Sequence, residues 1–193
     1  MMTRHHAQGF TTWRHVTPLH ARKLGFTLVE LLVTIVLIAA LVAIAMPASD
    51  RVLHKTRAVH CMGNLRNLGV ALQTYLGDHN NVMPTLVTAR ESKDSDEAAI
   101  DNTLNEYTED MKVFCCKADA RRLCESSGTS YLWNNLLNGQ HTASLNLMGF
   151  IKDGTRIPVI SDKESFHKYR DVQVNILYAD GHVAKDIKFT VDE

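Results

Sequence analysis

The sequence predicts an α+β chain: one long N-terminal helix, membrane-length at first and amphipathic beyond, packed on a small antiparallel β-sheet head. Three observations predict it. Residues 26–46 carry a single charge, Glu30, and at about 1.5 Å per helical residue such a run spans the roughly 30 Å hydrocarbon core of a bilayer. Downstream, Val52, Ala58, Met62, Leu65, Leu68, Leu72 and Tyr75 recur at three- to four-residue steps beside Arg51, Lys55, Arg66 and Gln73, the pattern of a helix laying one stripe on a core. Near the C-terminus the period falls to two, with residues 172–178 and 183–189 flanking Ala179-Asp180-Gly181-His182.

Residues 1–25 have no apolar period and are rich in His, Thr and Arg, which reads as a removable leader. The leader holds Arg4, Arg14, Arg22 and Lys23 and no acid, so the balanced charge of the whole chain becomes four negative once it is lost. That surface gives no electrostatic reason to expect a nucleic-acid partner. Four of the ten histidines leave with the leader, so the His count overstates any metal-binding capacity. The 193 residues suit one modest domain plus a membrane helix, and 45% hydrophobic content is ordinary once that helix is counted.

The apolar helix opens unusually, with a lone carboxylate in its first turn and nothing else in the helix to neutralise it. A carboxylate costs roughly 2.5 to 3.5 kcal/mol at the bilayer centre and less near the interface, so Glu30 reads as functional with a cationic partner. Positive residues flank both ends, Arg22 and Lys23 before, Arg51, Lys55 and Arg57 after, and charge alone leaves the orientation open. A plain signal anchor and a cleaved secretory signal are the bland alternatives, the latter with Ala43-Ile44-Ala45 as its site. The usual apolar region of a cleaved signal is only about 7 to 15 residues long and carries no acid.

Pro47 lacks an amide donor and is expected to kink the helix or end a turn of its hydrogen bonding. Gly63, Gly69 and Gly77 each weaken a helix interior by up to about 1 kcal/mol, so tertiary packing must hold this part. Asp78-His79-Asn80-Asn81 ends it and Pro84 confirms the stop. A shorter helix is expected from Ser95, with Asp96 and Glu97 in its first turn and Ile100, Leu104 and Tyr107 on one face. Tyr131-Leu132-Trp133 and Ile157-Pro158-Val159-Ile160 are short strand candidates, Asn138-Gly139 marks a turn, and Asp180-Gly181 predicts a tight hairpin.

The stretch Lys23-Leu24-Gly25-Phe26-Thr27-Leu28-Val29-Glu30 closely resembles the N-terminal cleavage and methylation site of type IV pilins and type II secretion pseudopilins. The resemblance implies a pilin-like fold and a prepilin peptidase that cuts after Gly25 and N-methylates Phe26. It implies that Glu30 then pairs with a neighbouring subunit's terminal amine during assembly. The implied partners are that peptidase, copies of this chain and other pilin-like subunits, inner-membrane assembly machinery and membrane lipid. The implied location is the inner membrane as a single-pass precursor, the head periplasmic or extracellular, then a filament. The expected division is a leader, 1–25, a transmembrane and assembly helix, 26–49, and a head, 50–193. Pro47 matches a helix-bending proline common in pilins.

Further residues resemble a large bacterial group of pilin-like proteins: Cys61-Met62-Gly63-Asn64-Leu65-Arg66-Asn67-Leu68-Gly69, the stretch from Tyr75 through Pro84, Phe114-Cys115-Cys116-Lys117-Ala118-Asp119 and Asn175-Ile176-Leu177-Tyr178-Ala179-Asp180-Gly181-His182-Val183. That group has a histidine nine residues before a terminal Asp-Gly. Here twelve residues separate His167 from Asp180, which leaves the role of His167 open.

Cys61, Cys115, Cys116 and Cys124 all fall in the expected exported part, where disulfides persist. A bridge from Cys61 to Cys115 or Cys116 ties the long helix to the sheet region, closing a loop of about 55 residues worth about 4 kcal/mol, and leaves Cys124 for the remaining cysteine. Spacing does not fix the connectivity, and buried free thiols are the alternative. No paired CxxC points to zinc. Asp162 and Asp180 are weak candidates for Ca²⁺, though an Asp-Gly turn needs no metal and no EF-hand spacing exists. Ser165, His167 and Asp171 lack a nucleophile elbow or oxyanion donors, Tyr131 and Trp133 read as core rather than a sugar platform, and no cofactor motif appears. The expected role is therefore a structural subunit rather than an enzyme. The alternative is a membrane-anchored protein that binds a ligand such as a polysaccharide and never polymerises.

Overall fold

A computed structural model describes residues 25–167 and 174–185. The expected leader up to Leu24, Asp171 and the outer parts of the predicted hairpin strands, 172–173 and 186–189, lie outside them. Two compact units, residues 1–43 and 44–193, divide within the long helix α1 (Leu28–Asp78); each is described by itself.

In the first unit every described residue is exposed, among them Phe26, Leu28, Leu31, Ile35 and Leu41. So continuous an apolar surface marks a site for lipid or protein. By length and composition α1 is sufficient to cross a membrane.

In the second unit α1 runs on through Pro47 rather than ending there, losing one hydrogen bond at the missing N–H. The head packs on a stripe of Ala58, Cys61, Leu65, Leu68, Leu72 and Leu76, all buried. This differs from the predicted stripe: Val52 is 64% exposed, and Met62 and Tyr75 are only half-buried. Three- and four-residue steps from Leu65 reach Cys61 and Leu76 as readily as Met62 and Tyr75; the sheet's position selects the former. Of the three helical glycines, only Gly69 marks close approach, since a Cβ there would lie 3.1 Å from Leu177 Cδ1 while Gly63 and Gly77 face open space. The helix ends with Asn80 and Asn81 at positive φ (52° and 58°), the Asn81 N–H returning to the Leu76 carbonyl at 2.8 Å as in a Schellman motif.

The predicted second helix starts later. Helix α2 covers only Ile100–Thr103, followed by a 3₁₀ turn at Asn105–Tyr107. Ser95 does not cap it; its hydroxyl bonds Glu97 in a local turn, while Asn102 Oδ1 accepts the Ala99 N–H at 2.7 Å. Helix α3 (Leu123–Ser127) follows.

Strands β1 (Tyr131–Trp133), β2 (Pro158–Asp162), β3 (Ile176–Tyr178) and β4 (Val183–Ala184) form an antiparallel meander in that order. The fold class is thus the predicted α+β, a long helix with a small antiparallel sheet. Tyr131, Trp133, Ile160 and Leu177 are buried with the α1 stripe in one core, so both aromatics are core residues. Trp133 Nε1 donates to Asn138 Oδ1 at 2.7 Å, and the Asn138 amide also bonds the Leu86 carbonyl at 2.9 Å, so the predicted Asn138-Gly139 turn also clamps a distant loop.

The final hairpin differs in its turn. Ile176 pairs with Ala184 and Leu177 with Val183, and the Tyr178 N–H donates to the His182 carbonyl at 3.0 Å, leaving a three-residue loop, 179–181, in which Gly181 alone has positive φ (88°). This is the longer turn with glycine in the left-handed position rather than the two-residue Asp-Gly turn. Asp180 Oδ1 accepts the His182 N–H at 3.1 Å and sets that geometry.

Candidate processing and assembly site

Helix α1 begins at Leu28 because Thr27 caps it. Thr27 Oγ1 accepts the Glu30 N–H at 3.2 Å, and Glu30 Oε2 accepts the Thr27 N–H at 2.9 Å and its hydroxyl at 2.8 Å. This is a reciprocal capping box, and it places the carboxylate at the positive end of the helix dipole. The Thr-x-x-Glu spacing at residues 27–30 is the sequence signal for this cap. Thr27 satisfies one carboxylate oxygen without supplying positive charge, so among the described residues the carboxylate has no cationic partner. Gly25 and Phe26 are exposed, and a Cβ on Gly25 would touch nothing within 4 Å. Scission after Gly25 leaves every atom of the cap in place.

The head holds the remaining candidates. Cys61 bonds Cys116 and Cys115 bonds Cys124, so both sequence-adjacent cysteines are used, in different bridges. Asp162 and Asp180 are not brought together: Asp162 pairs with Tyr131 at one end of β2, while Asp180 lies beyond Tyr178, which pairs with Pro158 at the other. Asp180 is occupied by its own turn, its Oδ1 lying 2.5 Å from His182 Nδ1.

His167 and Asp162 are buried with Asn175. Asn175 Nδ2 lies 2.9 Å from Asp162 Oδ2 and 2.7 Å from His167 Nε2, and the Asn175 N–H donates to the same carboxylate oxygen at 2.7 Å. Ser165 is exposed, so the described part of the Ser165, His167 and Asp171 set forms no nucleophile and base pair. This buried trio was not legible in the sequence, because spacing does not reveal which polar residues of a strand and its neighbouring loop turn inward.

A second buried network was also missed. Arg90 and Asp101 form a buried ion pair, and Lys163 Nζ donates to Ser127 Oγ at 2.6 Å and to the Thr129 carbonyl at 2.7 Å. Burial pulls the Lys163 ammonium below its usual range, opposed by Asp101 and Asp119. Burial also pushes the Tyr131 phenol upward.

The prokaryotic N-terminal methylation motif matches residues 20–46. The chain carries a prepilin-type methylation signal. This motif, with the α+β fold, supports a type IV pilin-like or pseudopilin family. It indicates a structural subunit, implies processing by a prepilin peptidase and assembly with pilin-like subunits, and with the apolar helix indicates a membrane-anchored, single-pass precursor. No curated protein matches this prepilin-like chain, and no solved structure does.

Proposed function

We propose that this prepilin-like chain is cut after Gly25, N-methylated on Phe26 and assembled through residues 26–49 into a type IV pilus or a type II secretion pseudopilus. The observation that carries this reading is the methylation motif over residues 20–46, which spans the scissile glycine, the aromatic that follows it and the capped carboxylate. Glu30 of one subunit takes its cationic partner from the terminal amine of another, which sets axial register, while apolar helix packing supplies cohesion. Residues 50–193 then form the exported head, and inner-membrane assembly machinery and lipid are the other partners.

Intact-mass and N-terminal mass spectrometry of the protein recovered from its native membrane tests the processing step. The expected product begins at N-methylated Phe26. A chain that keeps its leader, or begins near Met46, overturns the reading. Crosslinking in cells tests self-association, and an exclusively monomeric product would instead favour an anchored ligand-binding protein.

A further inference from the structure

Three chain segments meet beside the Cys61–Cys116 bridge. Cys61 lies in α1, Cys116 follows the 3₁₀ turn Met111–Phe114, and His167 follows β2. The two sulfurs and a ring nitrogen of His167 all lie within 4.8 Å of one another. All three residues are buried, at 0%, 5% and 1% exposure. The ring is held along one edge, with Nε2 2.7 Å from Asn175 Nδ2 and 3.2 Å from Asp162 Oδ2. Its Nδ1 is buried and has no hydrogen-bond partner among the described residues. A buried imidazole whose one nitrogen faces an amide and a carboxylate while the other is unused can offer that second nitrogen to a metal, the outer groups orienting the ring.

We propose that in the reduced chain, before the Cys61–Cys116 bridge forms, Cys61, Cys116 and His167 bind one zinc ion. Tetrahedral zinc holds sulfur and nitrogen ligands about 3.3 to 3.8 Å apart, so the sulfurs separate from bonding distance while the ring stays near its present place. Zn²⁺ binding releases two protons, one from each thiol, and the two thiolates neutralise the dication, which suits a buried site. When Nδ1 takes the metal its proton moves to Nε2, which faces Asp162 Oδ2 once the Asn175 side-chain amide, now 2.7 Å from Nε2, turns away. A fourth position is left for water. Bridge and ion exclude each other, because the same two sulfurs form both, so the metal guards this pair against premature oxidation. The proposal rests on the head alone and stands apart from the assembly reading.

The test uses the full chain in detergent, carrying Cys115→Ser and Cys124→Ser to silence the other pair, reduced with a phosphine and freed of excess reductant. Titration with Co²⁺ is expected to give a thiolate-to-cobalt charge-transfer band saturating at one ion per chain. Affinity is expected to fall at least about tenfold in His167→Ala and about tenfold in Asp162→Asn, and the oxidised chain is expected to show no band. X-ray absorption of the zinc-loaded parent reads the ligands without the His167 variant, whose folding circular dichroism checks; two sulfurs and a histidine nitrogen are expected. Absence of the band, a band unchanged by losing His167 in a folded chain, binding by the oxidised chain, or any other sulfur count overturns the proposal.

Discussion

At the scale of single residues, the head contrasts two glycines in left-handed backbone. Gly128 and Gly139 both have positive φ, 86° and 68°. A Cβ on Gly139 meets open space, whereas one on Gly128 would strike Asp101 Oδ2 and come within 2.6 Å of Arg90 Nη2. Gly139→Ala is therefore expected to cost only the left-handed backbone penalty, about 1 to 2 kcal/mol. Gly128→Ala adds disruption of a buried ion pair, and about 3 kcal/mol or more is expected; urea unfolding of the two variants checks the difference. Lys163 makes a pH-dependent contribution. Its folded pKa is lowered by burial from the usual 10.5, so between the folded value and 10.5 the unfolded chain binds more protons and stability rises with pH. Below the folded value that gain is absent. Tyr131 runs oppositely: its raised pKa makes stability fall as pH climbs above the ordinary 10.0. Urea titrations of wild type and Lys163→Met at paired pH values remove the tyrosine from the comparison. The wild type is expected to gain on the variant as pH approaches 10.5, and a constant difference would rule out the coupling.

At the scale of elements, what the sequence made legible was whatever repeats. The apolar run, the end of α1 at Asp78, Tyr131–Trp133 as a strand and the hairpin around Gly181 follow from periodicity and turn chemistry. The helix expected from Ser95 did not form there because local side-chain bonds at Ser95 and Asn102 moved the cap to Ala99. The pairing of the four cysteines was readable only down to Cys61 with Cys115 or with Cys116, since the choice depends on which face of α1 the sheet covers. The outcome separates two bridges of different reach. Cys61–Cys116 spans 55 residues and is buried; Cys115–Cys124 spans 9 and is half-buried. Chain-entropy reasoning assigns about 4 kcal/mol to the first and about 2.5 kcal/mol to the second. Replacing both cysteines of the long bridge by Ala is thus expected to lower stability more than replacing both of the short one. Mild reduction is expected to open Cys115–Cys124 first, as timed alkylation and peptide mapping would reveal. Earlier loss of Cys61–Cys116 would mean that its burial gives no protection.

At the scale of the whole molecule, the sequence carries two kinds of chain. One is apolar and exposed over residues 26–46, suited to lipid or to neighbours; the other buries its own core. The first was legible because a membrane-length run has few competing explanations, and the second only in outline, because its polar networks join residues far apart in sequence. Glu30 belongs to the first kind, and the described bonds of its carboxylate are to Thr27. Replacing it therefore perturbs no contact within the head. Glu30→Ala is expected to leave the head's thermal unfolding unchanged and to spare cleavage after Gly25, yet to impair assembly because the terminal amine of a neighbour loses its counter-charge. Thr27→Val is the informative companion. It removes the hydroxyl, costing about 1 kcal/mol of helix capping, but keeps the Thr27-position N–H and the carboxylate, so filaments are expected at near wild-type yield. Electron microscopy of sheared surface fractions, with mass spectrometry of the processed N-terminus, separates the two effects. If Glu30→Ala forms filaments as readily as wild type, the carboxylate does not set register; if Thr27→Val fails as completely as Glu30→Ala, the cap rather than the charge is what assembly requires.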